Sequence, residues 1–284
     1  MIHKPFEVPM GSDTLRLGPS PLIMGILNVT PDSFSDGGDF VDVDAAVRQA
    51  KHHIAEGADI IDVGGESTRP GSEEVSVQDE LDRVMPVLDA LAAAPIGKPV
   101  SIDTYKALVA DQAIQAGAAM VNDVWGLQRD PEIADVVAQH GVPVVAMHWD
   151  AERDRDLDII SEMTRWLTRT IEIALGAGIP QNKIVLDPGF GFGKTFRENY
   201  ILLNRLHELH ALGFPLLIGT SRKSMLGKLL DVPPKERVAA TVATSVIAYQ
   251  QGGHIFRVHD VRENRDGLRV AQATLYGPPA GVEG

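Results

Sequence analysis

Residues 99–123 read PVSIDTYKALVADQAIQAGAAMVND, and the fold follows from how this stretch divides. Pro99–Ile102 is a short apolar run, Tyr105–Ala116 carries a helical pattern, and Met120–Asn122 begins a second apolar run after Gly117. Two strands joined through a helix form a βαβ unit, so the strands run parallel, with the glycine ending the helix.

The same alternation extends in both directions. The other strand candidates are Leu22–Val29, Asp59–Val63, Pro143–Met147, Ile184–Asp187, Leu216–Gly219 and Ile255–Val258. The other helical stretches are Val43–Glu56, Val77–Ala94, Pro131–His140, Leu157–Ala177, Arg197–Leu212, Lys235–Gln251 and Arg262–Leu275. Eight such pairs predict an α/β chain closed into a single (β/α)8 barrel. A doubly wound sheet uses the same units but needs a reversal of strand order that the sequence does not display. Pro86 is expected to kink or shorten its helix. Without any Pro/Ser-rich linker, residues 1–284 read as one domain, with 1–20 an N-terminal extension suited to a short hairpin.

Composition narrows the function. The chain of 284 residues carries 26 Lys+Arg against 39 Asp+Glu, a formal net charge of −13, which argues against nucleic acid or an anionic membrane as partner. With no cysteine there is no disulfide, thiolate metal site or cysteine nucleophile. Pro5, Glu7 and Pro9 interrupt the start where a signal peptide would be apolar, so a cytoplasmic protein is expected.

In a parallel barrel the site lies at the carboxyl ends of the strands. There the sequence places Asn28, Asp62, Asp103, Asn122 with Asp123, Met147 with His148, Asp187, Ser221 to Ser224, and Arg257 with His259. Individually these have plain structural uses, such as Asp103 capping a helix or Asp123 closing a turn. Together, Asp103, Asp187 and Asn122 suit the edge of a flat nitrogen heterocycle, and Lys223 adds a donor. Arg69, Arg222, Arg257 and His259 supply the local positive field that an anionic group needs in so acidic a chain. Thr30–Gly38 and Gly64–Ser72 are long Gly/Ser/Pro-rich loops suited to closing over a substrate.

Other patterns carry less. Gly189-Phe-Gly-Phe-Gly193-Lys194-Thr195 suggests a phosphate loop, but Pro188 stands where the first glycine is needed, so it reads as a tightly packed βα loop. His207-Glu-Leu-His210 is one residue short of zinc-protease spacing and reads as helix surface, as do His52, His53 and His254. Arg153-Asp-Arg-Asp156 reads as a solvated loop or helix start.

Two long motifs carry a family resemblance. Met24-Gly-Ile-Leu-Asn-Val-Thr-Pro-Asp-Ser-Phe-Ser-Asp-Gly-Gly38 and Gly57-Ala-Asp-Ile-Ile-Asp-Val-Gly-Gly-Glu-Ser-Thr-Arg-Pro-Gly71 resemble the two signatures of the dihydropteroate synthase family of the folate pathway. The similarity continues through Ser101–Thr104, Asn122-Asp123, Asp187–Gly191, Ser221–Ser224 and Arg257–His259. The resemblance implies a TIM barrel that condenses a dihydropterin methyl pyrophosphate with 4-aminobenzoate, releasing pyrophosphate. It assigns the pterin to Asp103, Asn122, Asp187, Lys223 and Arg257, and the pyrophosphate to Asn28, Thr68, Arg257 and His259. It assigns 4-aminobenzoate to Thr68, Arg69, Pro70, Phe192 and Ser224, and Mg2+ to the side of Asn28. Catalysis would fall to Asn28, Arg69, Lys223, Arg257 and His259, and a homodimer is implied. The chain departs from the commoner pattern at Trp125-Gly126-Leu127 and from Trp149 to Arg155, at the pocket rim. Two alternatives stand beside this reading: a pterin-dependent methyltransferase domain and an inactive pterin-binding paralogue.

Overall fold

In the computed structural model, residues 3–11, 13–30, 42–67, 74–279 and 281 are described. The strands are β1 (Phe6–Met10), β2 (Asp13–Leu17), β3 (Leu22–Asn28), β4 (Ile60–Gly64), β5 (Val100–Asp103), β6 (Met120–Asp123), β7 (Val144–Met147), β8 (Ile184–Asp187), β9 (Leu217–Ile218) and β10 (Ile255–Val258). The helices are α1 (Val43–Glu56), α2 (Val77–Ala93), α3 (Ala107–Gln115), α4 (Ile133–His140), α5 (Ile159–Gly176), α6 (Phe196–Arg205), α7 (Ser224–Leu230), α8 (Val238–Gln250) and α9 (Val261–Tyr276).

Strands β3 to β10 form one parallel sheet in the order β8-β7-β6-β5-β4-β3-β10-β9. A parallel bridge between Leu186 and Leu216, with the Leu186 N–H donating to the Pro215 carbonyl at 3.0 Å, brings its two ends together. The (β/α)8 barrel is therefore present, and the order rules out the doubly wound alternative.

Side-chain parity divides the apolar residues into two cores. Ile23, Leu27, Ile61, Val63, Ile102, Val121, Val144, Ala146, Ile184, Leu186, Ile218, Phe256 and Val258 point outward and pack against the helices. The inward residues Met24, Ile60, Met120, Val145, Val185, Leu217 and Ile255 form a separate core at the amino end of the barrel. The extension is the expected hairpin, with Phe6 paired to Leu17, and it adds Val8, Met10 and Leu17 to that inner core as a floor.

Local chemistry sets the helix starts. Asp42, Ser76 and Asp158 each accept a hydrogen bond from the first turn of α1, α2 and α5, and Thr195 with Glu198 forms a capping box at α6.

Two expectations need correction, and one helix is additional. Pro86 does not shorten α2, because Leu81, Val84, Val87, Leu88 and Leu91 bury one continuous face around it. The stretch 197–212 is an α-helix only to Arg205, after which Leu206–Leu212 is a 3-10 helix. There Leu206 and Leu209 are buried at the three-residue period of that helix. Helix α7 had no counterpart in the sequence reading.

Candidate active site

Two residues toward the carboxyl end from the inner core, the inward positions turn polar. Ile60 is followed by Asp62, Met120 by Asn122, Val185 by Asp187 and Ile255 by Arg257. On β5 the inward residues are Ser101 and Asp103, and β-sheet register sets Asn28, Gly64, Asp103 and Asn122 side by side. Arg257 lies at the centre: Nε donates to Asp62 Oδ2 and Nη2 to Asp103 Oδ2, each at 2.6 Å. Asn122 Nδ2 donates to the same Asp62 oxygen at 3.0 Å.

Asp62 is 0% exposed, so its charge depends on these two donors. Asp62 Oδ1, Asp103 Oδ1 and Ser101 Oγ meet no partner among the described residues. A buried acceptor left unpaired costs roughly 1–3 kcal/mol, so the set is complementary to a ligand that brings N–H donors. Burial pushes the Asp103 carboxyl up to about 7, against Arg257 and with the help of Asp62. Burial also raises Asp187, opposed by the Gly189 N–H that donates to its Oδ1 at 2.7 Å and by Lys223 and Lys194. Arg257 stays charged despite burial, because Asp62 and Asp103 hold its pKa above the ordinary value.

A second wall is aromatic. Lys223 Nζ lies 3.9 Å from the centre of the Phe192 ring, and Phe192 packs with Val124 and Met147. The unusual residues Trp125 and Trp149 stack on each other, with ring centres 3.9 Å apart and planes at 14°. Trp149 leans on Phe192 at 4.8 Å, and the Arg129 guanidinium covers Trp125 at 4.5 Å. The two departures from the family pattern are thus one packed pair. Asp123 does the work of a turn, accepting from the Trp125 and Leu127 N–H groups at 2.7 and 2.6 Å.

The third side lies at the ends of β9 and β10. The Ser221 hydroxyl accepts from the His259 backbone N–H at 3.1 Å and lies 2.9 Å from His259 Nδ1. Arg222 is committed to a bidentate pair with Asp260, so its charge is neutralised locally and does not serve the anion field expected of it. Ser224 opens α7 and is exposed. Asn28 ends β3. Thr68, Arg69 and Pro70, with most of Thr30–Gly38 and Gly64–Ser72, lie outside the described residues.

Several secondary patterns resolve. In the loop after β8 the backbone carbonyls of Gly189 and Phe192 accept from Lys194 Nζ at 2.8 and 3.1 Å. This turn wraps the chain's own cation, the opposite polarity to a phosphate loop. His207 and His210 both turn to Gln251. His53 and His254 are not surface residues: they are 3% and 0% exposed, and each makes a hydrogen bond to a backbone carbonyl. Arg153 is not solvated either; it is 4% exposed and bonded to Glu198 and the Gly193 carbonyl. Asp62 was read from the sequence only as one of many strand-end polar residues; its inward parity behind Ile60 is the signal that marks it. No group of three His, Asp or Glu side chains that could hold a metal occurs among the described residues. No helix among them is long and apolar enough to cross a membrane.

Comparison with known proteins agrees with this geometry. Residues 24–259 match the pterin binding enzyme family. The chain is 49% identical over 254 residues to the dihydropteroate synthase of Bacillus subtilis, covering 89% of this chain and 88% of that one. A crystal structure of dihydropteroate synthase from Clostridium difficile in the presence of pteroic acid superposes with a TM-score of 0.87 at 50% identity, covering 90% of this chain and 97% of that one. Another, from Xanthomonas albilineans with 4-aminobenzoic acid, gives a TM-score of 0.90 at 43% identity, covering 97% and 100%. Relatives of this closeness set aside the methyltransferase alternative. The chain belongs to the dihydropteroate synthase family.

Proposed function

We propose that this chain condenses 6-hydroxymethyl-7,8-dihydropterin pyrophosphate with 4-aminobenzoate to give 7,8-dihydropteroate and pyrophosphate, by loss of pyrophosphate before attack of the amine. The observation that carries the reading is the Asp62–Arg257–Asp103 constellation, in which two buried carboxylate oxygens wait for donors among inward residues. A pterin brings adjacent N–H donors and acceptors in one plane, which Asp103, Asn122 and Asp187 match by type, with Lys223 as a further donor.

The exocyclic carbon–oxygen bond breaks with its electron pair leaving on pyrophosphate, and the electron-rich pterin bears the cation. The amine nitrogen then forms the new bond and gives up its proton to the released pyrophosphate or to water. No protein nucleophile is required. Arg257 spends two of its five N–H groups on Asp62 and Asp103, which leaves three for the pterin ring and the leaving group. Arg257 and His259, with Asn28 and Thr68, would meet the negative charge that grows on pyrophosphate. Phe192 and Ser224, with Thr68, Arg69 and Pro70, would surround the aromatic amine.

Asn28 suits Mg2+ as a single carboxamide oxygen, with pyrophosphate and water oxygens completing the shell, since magnesium seldom uses an all-protein cage. Bound there, Mg2+ would neutralise charge on the leaving group. A homodimer and a cytoplasmic setting belong to the same proposal. The hairpin floor, which joins residues 6–17 to the barrel core, supports one domain over the whole chain.

Replacing Asp103 by Asn, or Asn122 by Ala, should weaken binding of the pterin pyrophosphate by about 10- to 100-fold in a calorimetric titration, the usual cost of stranding a buried partner. Wild-type affinity in both variants would overturn the assignment.

A further inference from the structure

One charged side chain close to the site has no part in the chemistry above. Lys194 follows the third glycine of the loop after β8, and its ammonium meets three acceptors: Gly189 O at 2.8 Å, Phe192 O at 3.1 Å and His148 Nδ1 at 3.0 Å. An ammonium has three protons and no lone pair, so all three are used and none is left for a substrate. With Lys194 charged, His148 Nδ1 is the acceptor, which puts the ring proton on Nε2, facing Glu162 Oε2 at 3.2 Å. His148 and Glu162 are each 0% exposed, and Arg165 donates to the other Glu162 oxygen at 2.7 Å.

The loop has no slack around this centre. Gly189 has φ +69°, and a Cβ there would lie 2.1 Å from the His148 carbonyl oxygen. The His148 N–H donates to the Asp187 carbonyl at 2.9 Å, which ties the ends of β7 and β8. At the other end, Gly193 has φ +60° and a Cβ there would lie 2.7 Å from the Asp150 carbonyl oxygen, while Arg153 Nε donates to the Gly193 carbonyl at 3.2 Å. Burial draws the Lys194 pKa down to about 7, with Asp187 acting to raise it and Arg153 and Lys223 to lower it.

We propose that Lys194 is a positioning residue for pterin binding: by gathering the Gly189 and Phe192 carbonyls and His148 onto one ammonium, it holds Asp187 and the Phe192 ring as a single rigid unit. This rests on the reading of Asp187 as a pterin ligand. The role is indirect, because Lys194 acts only through the loop that carries those two residues.

The test is a double-mutant cycle on the full chain with Lys194→Met, Asp187→Asn and the pair together. It reads the Kd of 6-hydroxymethyl-7,8-dihydropterin pyrophosphate with Mg2+ and no amine, together with kcat at saturating substrates. Lys194→Met should weaken pterin binding about tenfold or more and raise the KM for 4-aminobenzoate, with kcat within about threefold of wild type. In the Asp187→Asn background it should add little, since the two residues act as a unit. If Asp187→Asn loses affinity while Lys194→Met keeps it, or if the two effects are additive, the proposal fails and the reading of Asp187 survives. If Asp187→Asn binds like wild type, that reading fails and the proposal with it. Should Lys194→Met not fold, Lys194→Gln decides: its two amide protons can still meet the Gly189 and Phe192 carbonyls, so it should bind the pterin pyrophosphate within a few-fold of wild type, and a loss of about tenfold or more would overturn the proposal.

Discussion

Asp103 sits between its two protonation states near neutrality, since burial raises its carboxyl to about 7 while Arg257 pulls it down. From the unfolded value of 3.8 up to about 7 the folded chain holds the extra proton. This group therefore favours folding most below about pH 4, and its contribution fades as pH rises through 7. A ligand that donates N–H bonds selects the carboxylate, so binding the pterin pyrophosphate should release protons at pH 6.5 and tighten several-fold between pH 6 and 8. Calorimetry in buffers of different ionisation enthalpy reads this directly, and Asp103→Asn should abolish the buffer dependence. Equal enthalpies in all buffers would contradict it. Asp103, Asn122, Asp187 and Arg257 were legible in the sequence because each is a polar residue at the carboxyl end of a short apolar run, where a parallel barrel gathers its site. The partnership of Asp62 with Arg257 was not, because it joins residues 195 apart across the barrel interior.

The hairpin of β1 and β2 is fixed to the barrel floor through a histidine. His254 Nδ1 accepts from the Leu216 N–H and Nε2 faces the Lys4 carbonyl, both at 3.2 Å, so the ring must be neutral. Burial lowers its pKa to about 4, and burial with Lys194 does the same for His148. A lowered folded value means stability is complete above the unfolded 6.5 and is lost as pH falls toward 4. Each group should contribute on the order of 2–3 kcal/mol to that loss. Because buried Asp103 and Asp123 act in the opposite direction over this range, the test is the difference between variants: from pH 7 to 4.5 His254→Gln should lose less stability than wild type in thermal unfolding, and the same pH dependence in both would count against the hairpin anchor. The loop carrying Thr68, Arg69 and Pro70 supports a second expectation. Sulfonamides, as mimics of 4-aminobenzoate, should inhibit competitively against it in steady-state kinetics, and non-competitive inhibition would remove the loop from that role. Strands and α1 were legible almost to the residue. The 3-10 segment Leu206–Leu212 was not, because over two turns a period of 3.0 passes for 3.6.

As a whole, the molecule concentrates its chemistry at one end of a closed barrel and its apolar inner core at the other. Eight βα pairs predicted the barrel, but its closure between β8 and β9, made among the described residues by the bridge from Leu186 to Leu216, is announced by no local pattern. The tryptophans at 125 and 149 left an inactive paralogue open in the sequence; they stack on each other and brace Phe192, the ring beside Lys223. Sedimentation should find two copies per particle, and a monomer at micromolar concentration would refute the proposed homodimer. The decisive measurement is pyrophosphate release by the purified chain, given 6-hydroxymethyl-7,8-dihydropterin pyrophosphate and Mg2+ with and without 4-aminobenzoate. Dihydropteroate formed in step with pyrophosphate, and only when both substrates are present, is the expected result; firm pterin binding with no dihydropteroate would contradict the synthase reading.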